Sequence, residues 1–339
     1  MWPDRPIEPY PRGGQRRPIG HLERLEEVLM KTLRIRRNRL ARRAALFSWL
    51  AIVTALATSP AALHAGSLYV SLAVSDEIVQ FTSGGAESVF ATGLKAPAGL
   101  AFDSHGNLYE ADSNYPFENG SINEFAPGGS MTTFASGLGD TIGLAFDGSG
   151  DLFVGDDSAE EIYKITPGGV LSVFASNVYP SGLAFDSARD LFVADTGYEV
   201  GSHVGRIYEF TPGGVQSTFA SGMGYLNGEA FDSAGNLYVV DSTYRDIYAF
   251  TPGGVRSTFA SGLPNPDFLA FDPSGNLYVS DQSGYIFEFT PGGVRSTFAS
   301  GLSGDPQGLA FNSGVPEPAS VSLLVAGLAG ILVLRKRIR

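Results

Sequence analysis

The chain has 339 residues, 43 glycines, no cysteine and a formal net charge of −12. Without cysteine neither a disulfide framework nor a thiolate metal site can form, so stability must come from packing. Residues 66–314 hold 7 Lys and Arg against 29 Asp and Glu, an acidic body that excludes nucleic acid as a partner, since phosphate binding needs clustered Lys and Arg.

Residues 1–29 are rich in Pro and Arg and match no later part of the chain. They read as a non-native or disordered extension ahead of Met30, the expected initiator. Residues 30–65 read as a signal peptide: a basic stretch, KTLRIRRNRLARR, then the apolar ALFSWLAIVTALA, then the small-residue zone SPAALHA. The expected cut follows Ala65, with Ala57 as the second candidate. The apolar run is short for a signal-anchor helix, which needs about 20 residues.

Residues 66–314 repeat one unit, clearest as LAFDPSGNLYVSDQSGYIFEFTPGGVRSTFASGL from Leu269 to Leu302. Its apolar runs LAF, LYV, YIFEF and STFA are separated by turn signals, the pattern of four short strands joined by hairpins. In Asp272-Pro-Ser-Gly-Asn276, Asp opens a type I turn and Gly closes it in the left-handed region. In Thr290-Pro-Gly-Gly293, Pro suits the second turn position and Gly is expected at φ > 0 in the third. The first-strand motif starts at Leu100, Leu144, Leu183, Glu229, Leu269 and Leu309; the second-strand motif starts at Leu68, Leu108, Leu152, Leu191, Leu237 and Leu277. A period of about 40 residues with four strands per unit is that of a β-propeller blade. Six sets are complete, but the series begins on a second strand and ends on a first, so the runs at Leu68 and Leu309 are expected to pair and close the ring. The fold class predicted is therefore all-β, a six-bladed propeller of four-stranded blades, flanked by an N-terminal signal helix and a C-terminal transmembrane helix.

Residues 315–339 begin with Pro316, Glu317 and Pro318, continue through an apolar stretch from Ala319 to Leu334, and end in a basic cluster with Arg335, Lys336 and Arg337. As a helix the apolar stretch is about 24 Å long and can span if the bilayer thins, with the terminal cations holding the C-terminus in the cytoplasm.

These three elements in this order resemble the PEP-CTERM sorting signal of Gram-negative bacteria that make exopolysaccharide. The resemblance implies an exosortase-type sorting enzyme as partner, with cleavage near Pro-Glu-Pro. It also implies an inner-membrane anchor in transit and a final place at the cell surface or outside the cell. The segments GLAFD, GNLYVAD-like and IYEFTPGG, over nearly all of residues 68–312, are similar to NHL-repeat and SMP-30/gluconolactonase-like six-bladed propellers. That superfamily includes lactonases, lyases and pure binding scaffolds. Its lactonases hold a metal with Glu, Asn and Asp from different blades, positions this chain does not match residue by residue.

Both tight hairpins of a blade fall on one face, so the second-to-third loops and the blade-to-blade loops share the other, where a ligand is expected. There the residue two after the LYV-type run recurs as Asp112, Asp156, Asp195, Asp241 and Asp281, with Leu72 in the split blade. A ring of carboxylates is the one place here for an ion such as Ca²⁺; no other cofactor is expected. The competing and favoured role is structural: an Asp after a strand bonds the backbone of the following turn, and a repeat copies that role into every blade. Two loops are long, 10 residues from Asp112 to Ile122 and 12 from Asp195 to Ile207, and they add Tyr115, Phe117, Glu118, Tyr198 and Glu199 to the candidates. The two histidines of this body, His105 and His203, stand in no nucleophile motif. The leading expectation is an exported, non-catalytic propeller that binds a surface polysaccharide or protein. A metal-dependent lactonase or lyase is the alternative, and a weakly binding structural part of the matrix is a third reading.

Overall fold

The computed structural model describes residues 66–113, 119–198 and 204–312. The expected signal peptide, transmembrane helix and sorting signal, with Pro316, Glu317, Pro318, Arg335, Lys336 and Arg337, lie outside the described residues, as do Tyr115, Phe117, Glu118, Glu199 and His203.

Six four-stranded antiparallel sheets follow one another round a ring. Blade 1 is built from both ends of the described chain: Pro306–Asn312 forms its inner strand and pairs with Ser67–Leu72, in a register that sets Leu68 against Phe311 and Val70 against Leu309. The expected closure is therefore present, and no inner edge is left at the join. Blades 2 to 6 each use one continuous repeat, with inner strands Pro97–Phe102, Thr141–Phe146, Pro180–Phe185, Leu226–Phe231 and Pro266–Phe271.

The turns explain where the strands stop. Gly275 has φ +85°, and Asp272 Oδ1 accepts from the Ser274 and Asn276 N–H groups at 2.8 Å each, as the sequence implied. The Pro-Gly-Gly turn differs from expectation. Its left-handed residue is the second glycine, Gly293 at φ +77°, and its N–H donates to Thr290 O at 2.8 Å. This is a type I turn followed by a left-handed bulge residue, whose twist matches that of the flanking strands.

Blades are joined by an aromatic trio. The aromatic residue of each second strand meets the Phe of its own fourth strand and the Phe of the next blade's first strand. In blade 2, Tyr109 lies 5.1 Å from Phe134 and 4.9 Å from Phe146, edge to face. The same trio recurs at Tyr69, Phe153, Phe192, Tyr238 and Tyr278. Each such pair adds about 0.5–1.5 kcal/mol beyond the area it buries.

Toward the axis the inner strands approach too closely for side chains. A Cβ on Gly99 would overlap the Ile142 carbonyl oxygen, and one on Gly182 would lie 2.8 Å from the Glu229 nitrogen. The glycine of the G-L-A-F motif is therefore required by contact between neighbouring blades, and the residue before it is left to face the channel.

Candidate functional site

The six residues that precede this glycine position are Ala98, Ile142, Ser181, Asn227, Asp267 and Gln307, one per blade. All six line a cavity of about 830 Å³ at the mouth of the channel. Loop residues from the looser face complete it, among them Asp76, Lys95, Asp140, Tyr225, Gln282 and Asp305. The volume is that of a small-molecule site. Blade 6 departs from the repeat because Phe268 replaces the glycine and adds its ring to the lining.

The mouth is not symmetric. Asp267 is 5% exposed, and its Oδ2 accepts from Gln282 Nε2 at 3.0 Å. Burial drives the Asp267 carboxyl up to about 7; Asp305 and Asp281 add to the effect, and the Gln282 bond opposes it. Three blades away, on the opposite side of the ring, Asp140 is also raised to about 7, by burial first and then by Asp157 and Asp156. Asp157 itself rises to about 6 for the same main reason. Tyr225 stands in the field of both sides: burial, then Asp157, Asp267 and Asp140, lift its hydroxyl to about 12. Ser181 and Asn227, 4% and 8% exposed, line the cavity with no side-chain hydrogen bond to another described residue.

The recurrent aspartates expected as a ligand ring lie one layer behind this lining, and none of them faces the cavity. Each ties the loop entering its blade to the turn leaving its second strand. Asp156 Oδ2 accepts from the Gly139 N–H at 2.6 Å, while its Oδ1 accepts from Ser158 Oγ and the Ala159 N–H at 3.0 Å each. Asp241 binds the Gly224 and Tyr244 N–H groups, Asp281 those of Asn265 and Ser283, Asp195 those of Tyr179 and Gly197. Asp112 accepts from the Lys95 N–H at 2.9 Å. Tyr198 stays exposed, with its ring edge toward Tyr179 at 6.4 Å. Among the described residues no three His, Cys, Asp or Glu side chains converge as a metal-holding group. His105 sits in a tight turn on the far face, its side chain 82% exposed.

Two buried acids escaped the sequence reading. Glu110 replaces the valine of the second strand in blade 2; burial raises it to about 8, against the Asn123 Nδ2 bond at 3.0 Å, with Asp112 adding repulsion. Glu229 replaces the leucine of L-A-F in blade 5, and neither carboxyl oxygen has a side-chain partner or a hydrogen bond of good geometry. Burial raises it well above the usual value, offset in part by the nearby Ala194 backbone N–H. The signal that would have found these acids and the lining alike is departure from the repeat.

No family model matches this sequence, and no curated protein matches it. Solved structures do. The chain is similar to a propeller in the nidogen/laminin complex, at 22% identity and TM-score 0.64, covering 73% of this chain and 98% of that one. It is similar to virginiamycin B lyase from Staphylococcus aureus at 14% identity and TM-score 0.54, covering 74% and 92%. A gluconolactonase from Xanthomonas campestris matches at 17% identity and TM-score 0.56, covering 63% and 79%. At such identities the likeness establishes the six-bladed fold, which serves binding and catalysis alike.

Proposed function

We propose that this protein is an exported propeller that binds a cell-surface or matrix polymer at its channel mouth, without catalysis, after sorting through its Pro-Glu-Pro tail. The observation that carries the reading is the mouth: one residue per blade, different in every blade, lines a cavity of about 830 Å³ inside an otherwise repetitive ring. Amide, hydroxyl and carboxyl groups stand beside the rings of Phe268 and Tyr225. Such a lining suits hydrogen bonding to hydroxylated ligands with an aromatic surface to stack on. The nidogen propeller, crystallised in a complex with laminin, supports a binding role, as the sorting signal supports a surface one.

A glycan array probed with the purified protein tests this. Binding of a surface polysaccharide that is lost in Phe268→Gly, with melting unchanged, is the expected result. Steady turnover of lactones or uronate polymers by the purified protein would replace it with the enzymatic reading.

A further inference from the structure

We infer that the mouth takes an amino sugar with a free, protonated amine, its ammonium held by Asp267 and Asp305 and its hydroxyls by Ser181 and Asn227. The inference rests on the mouth being the binding site and names what that site selects.

Charge is the first reason. Four carboxylates, Asp76, Asp140, Asp267 and Asp305, line the cavity against one cation, Lys95. Lys95 belongs to the loop entering blade 2, two blades round from Asp267, and it is exposed. Asp267 and Asp305 come from adjacent blades and repel one another, so a cation between them relieves a strain already present.

The second reason is independent of charge. Ser181, Asn227 and Asp267 occupy the same tier of three consecutive blades, and each is more than nine-tenths buried and lines the cavity. The Ser181 hydroxyl and the Asn227 amide have no partner among the described residues, and Asp267 has one, Gln282. The Ser181 and Asn227 polar atoms thus open onto the cavity without a protein partner, and they are complementary to a ligand that supplies donors and acceptors. A bare metal ion makes no use of the two aromatic rings that stand beside this amide and hydroxyl; a sugar does. A neutral sugar, in turn, leaves the paired carboxylates unanswered.

Protonation gives the inference its own signature. Asp267 and Asp140, both near 7, hold protons in much of the population at pH 6.5. The charged groups facing them are Asp305 and Asp281 for the first, Asp157 and Asp156 for the second, with Asp76 and Lys95 elsewhere on the rim. Seating a cation there displaces protons, whereas seating a neutral ligand does not.

Titration calorimetry on the full chain in detergent at pH 6.5, with the glucosamine tetramer and the N-acetylglucosamine tetramer as probes, decides the matter. The amine form should bind at least about tenfold tighter, with a heat that varies with the ionisation enthalpy of the buffer. Asp267→Asn, or Asp305→Asn should the first fail to melt like the parent, should remove most of that preference. Asn227→Leu should weaken both probes together. Equal affinity for the two tetramers overturns the inference while leaving the mouth as a site. Binding of trilysine as tight as that of the glucosamine tetramer overturns the assignment to a sugar. Binding of neither tetramer, with another glycan bound on the array, sinks the inference alone.

Discussion

Replacing Glu229 with leucine should stabilise the protein, by an amount that grows with pH. Five blades carry leucine at this position, Leu100, Leu144, Leu183, Leu269 and Leu309, between 5% and 8% exposed, and Glu229 is 6% exposed in the same setting. The site is thus already shaped for an apolar side chain, and filling it contributes about 1.5–3 kcal/mol. Ionisation sets the rest. The folded carboxyl is raised above its unfolded value by burial, so the folded protein binds the extra proton. Its contribution is intact below the unfolded value of 4.5 and is lost as pH rises toward the folded one. The loss is about 1.4 kcal/mol for each pH unit in which only the folded state holds the proton. The variant should therefore gain roughly 2 kcal/mol at pH 5, mainly from burial, and more than that at pH 7. Urea unfolding followed by circular dichroism at the two pH values measures both. Glu110, Asp140, Asp267 and Asp157 keep their own slopes in parent and variant alike and cancel in the difference. An equal gain at both pH values, or a loss at either, would refute the picture of an unpaired buried acid.

Arg189 holds φ +71° where Gly106, Gly150, Gly235 and Gly275 hold the same turn in other blades. Arg189→Gly should add roughly 1 kcal/mol, and an unchanged melting temperature would count against left-handed strain there. Gly99→Ala should cost about 1–3 kcal/mol because the new methyl meets backbone that cannot step aside, while Gly84→Ala, with its nearest neighbour 3.9 Å away, should be nearly silent. Asp241→Ala strips an acceptor from the Gly224 and Tyr244 N–H groups and should cost about 3 kcal/mol. If that residue were instead an ion ligand, Ca²⁺ would raise the melting temperature of the parent and not of the variant; the expectation is no Ca²⁺ effect on either.

The ring and its closure were legible because turns and apolar runs are local signals, and a period of about 40 residues multiplies each one six times. Leu68 and Leu309 needed only their motifs to be matched as partners. The Pro-Gly-Gly turn was misjudged in detail because two successive glycines satisfy both a type II turn and a type I turn with a left-handed bulge. The backbone angles separate them, since Gly293 and not Gly292 holds the positive φ. The mouth was illegible for a different reason. Asp112, Asp156, Asp195, Asp241 and Asp281 drew notice because they recur, yet recurrence marks a role that every blade shares, and here that role is holding loops to turns. Ala98, Ile142, Ser181, Asn227, Asp267 and Gln307 are six different residues, so no recurring motif marks them; their common place before the glycine position, where the repeat departs from itself, is visible once that glycine is seen to carry the contact between blades.

Exposure does not explain why the six lining residues differ. Val170, Val215, Val255 and Val294 are 65–68% exposed on the opposite face, and they keep the same side chain in four blades. Ala86 and Ser130 take that place in the other two blades, whereas no two of the six lining residues are the same. A different residue from each blade, at the point where all six blades converge on one cavity, suits a ligand without sixfold symmetry, which needs a different group from each. Phe268 sharpens the point: it stands where the other five blades carry glycine, and it lines the cavity. A ring placed there departs from the repeat at the cavity itself, where a ligand can stack on it. Phe268→Gly should therefore leave stability level or higher while binding falls.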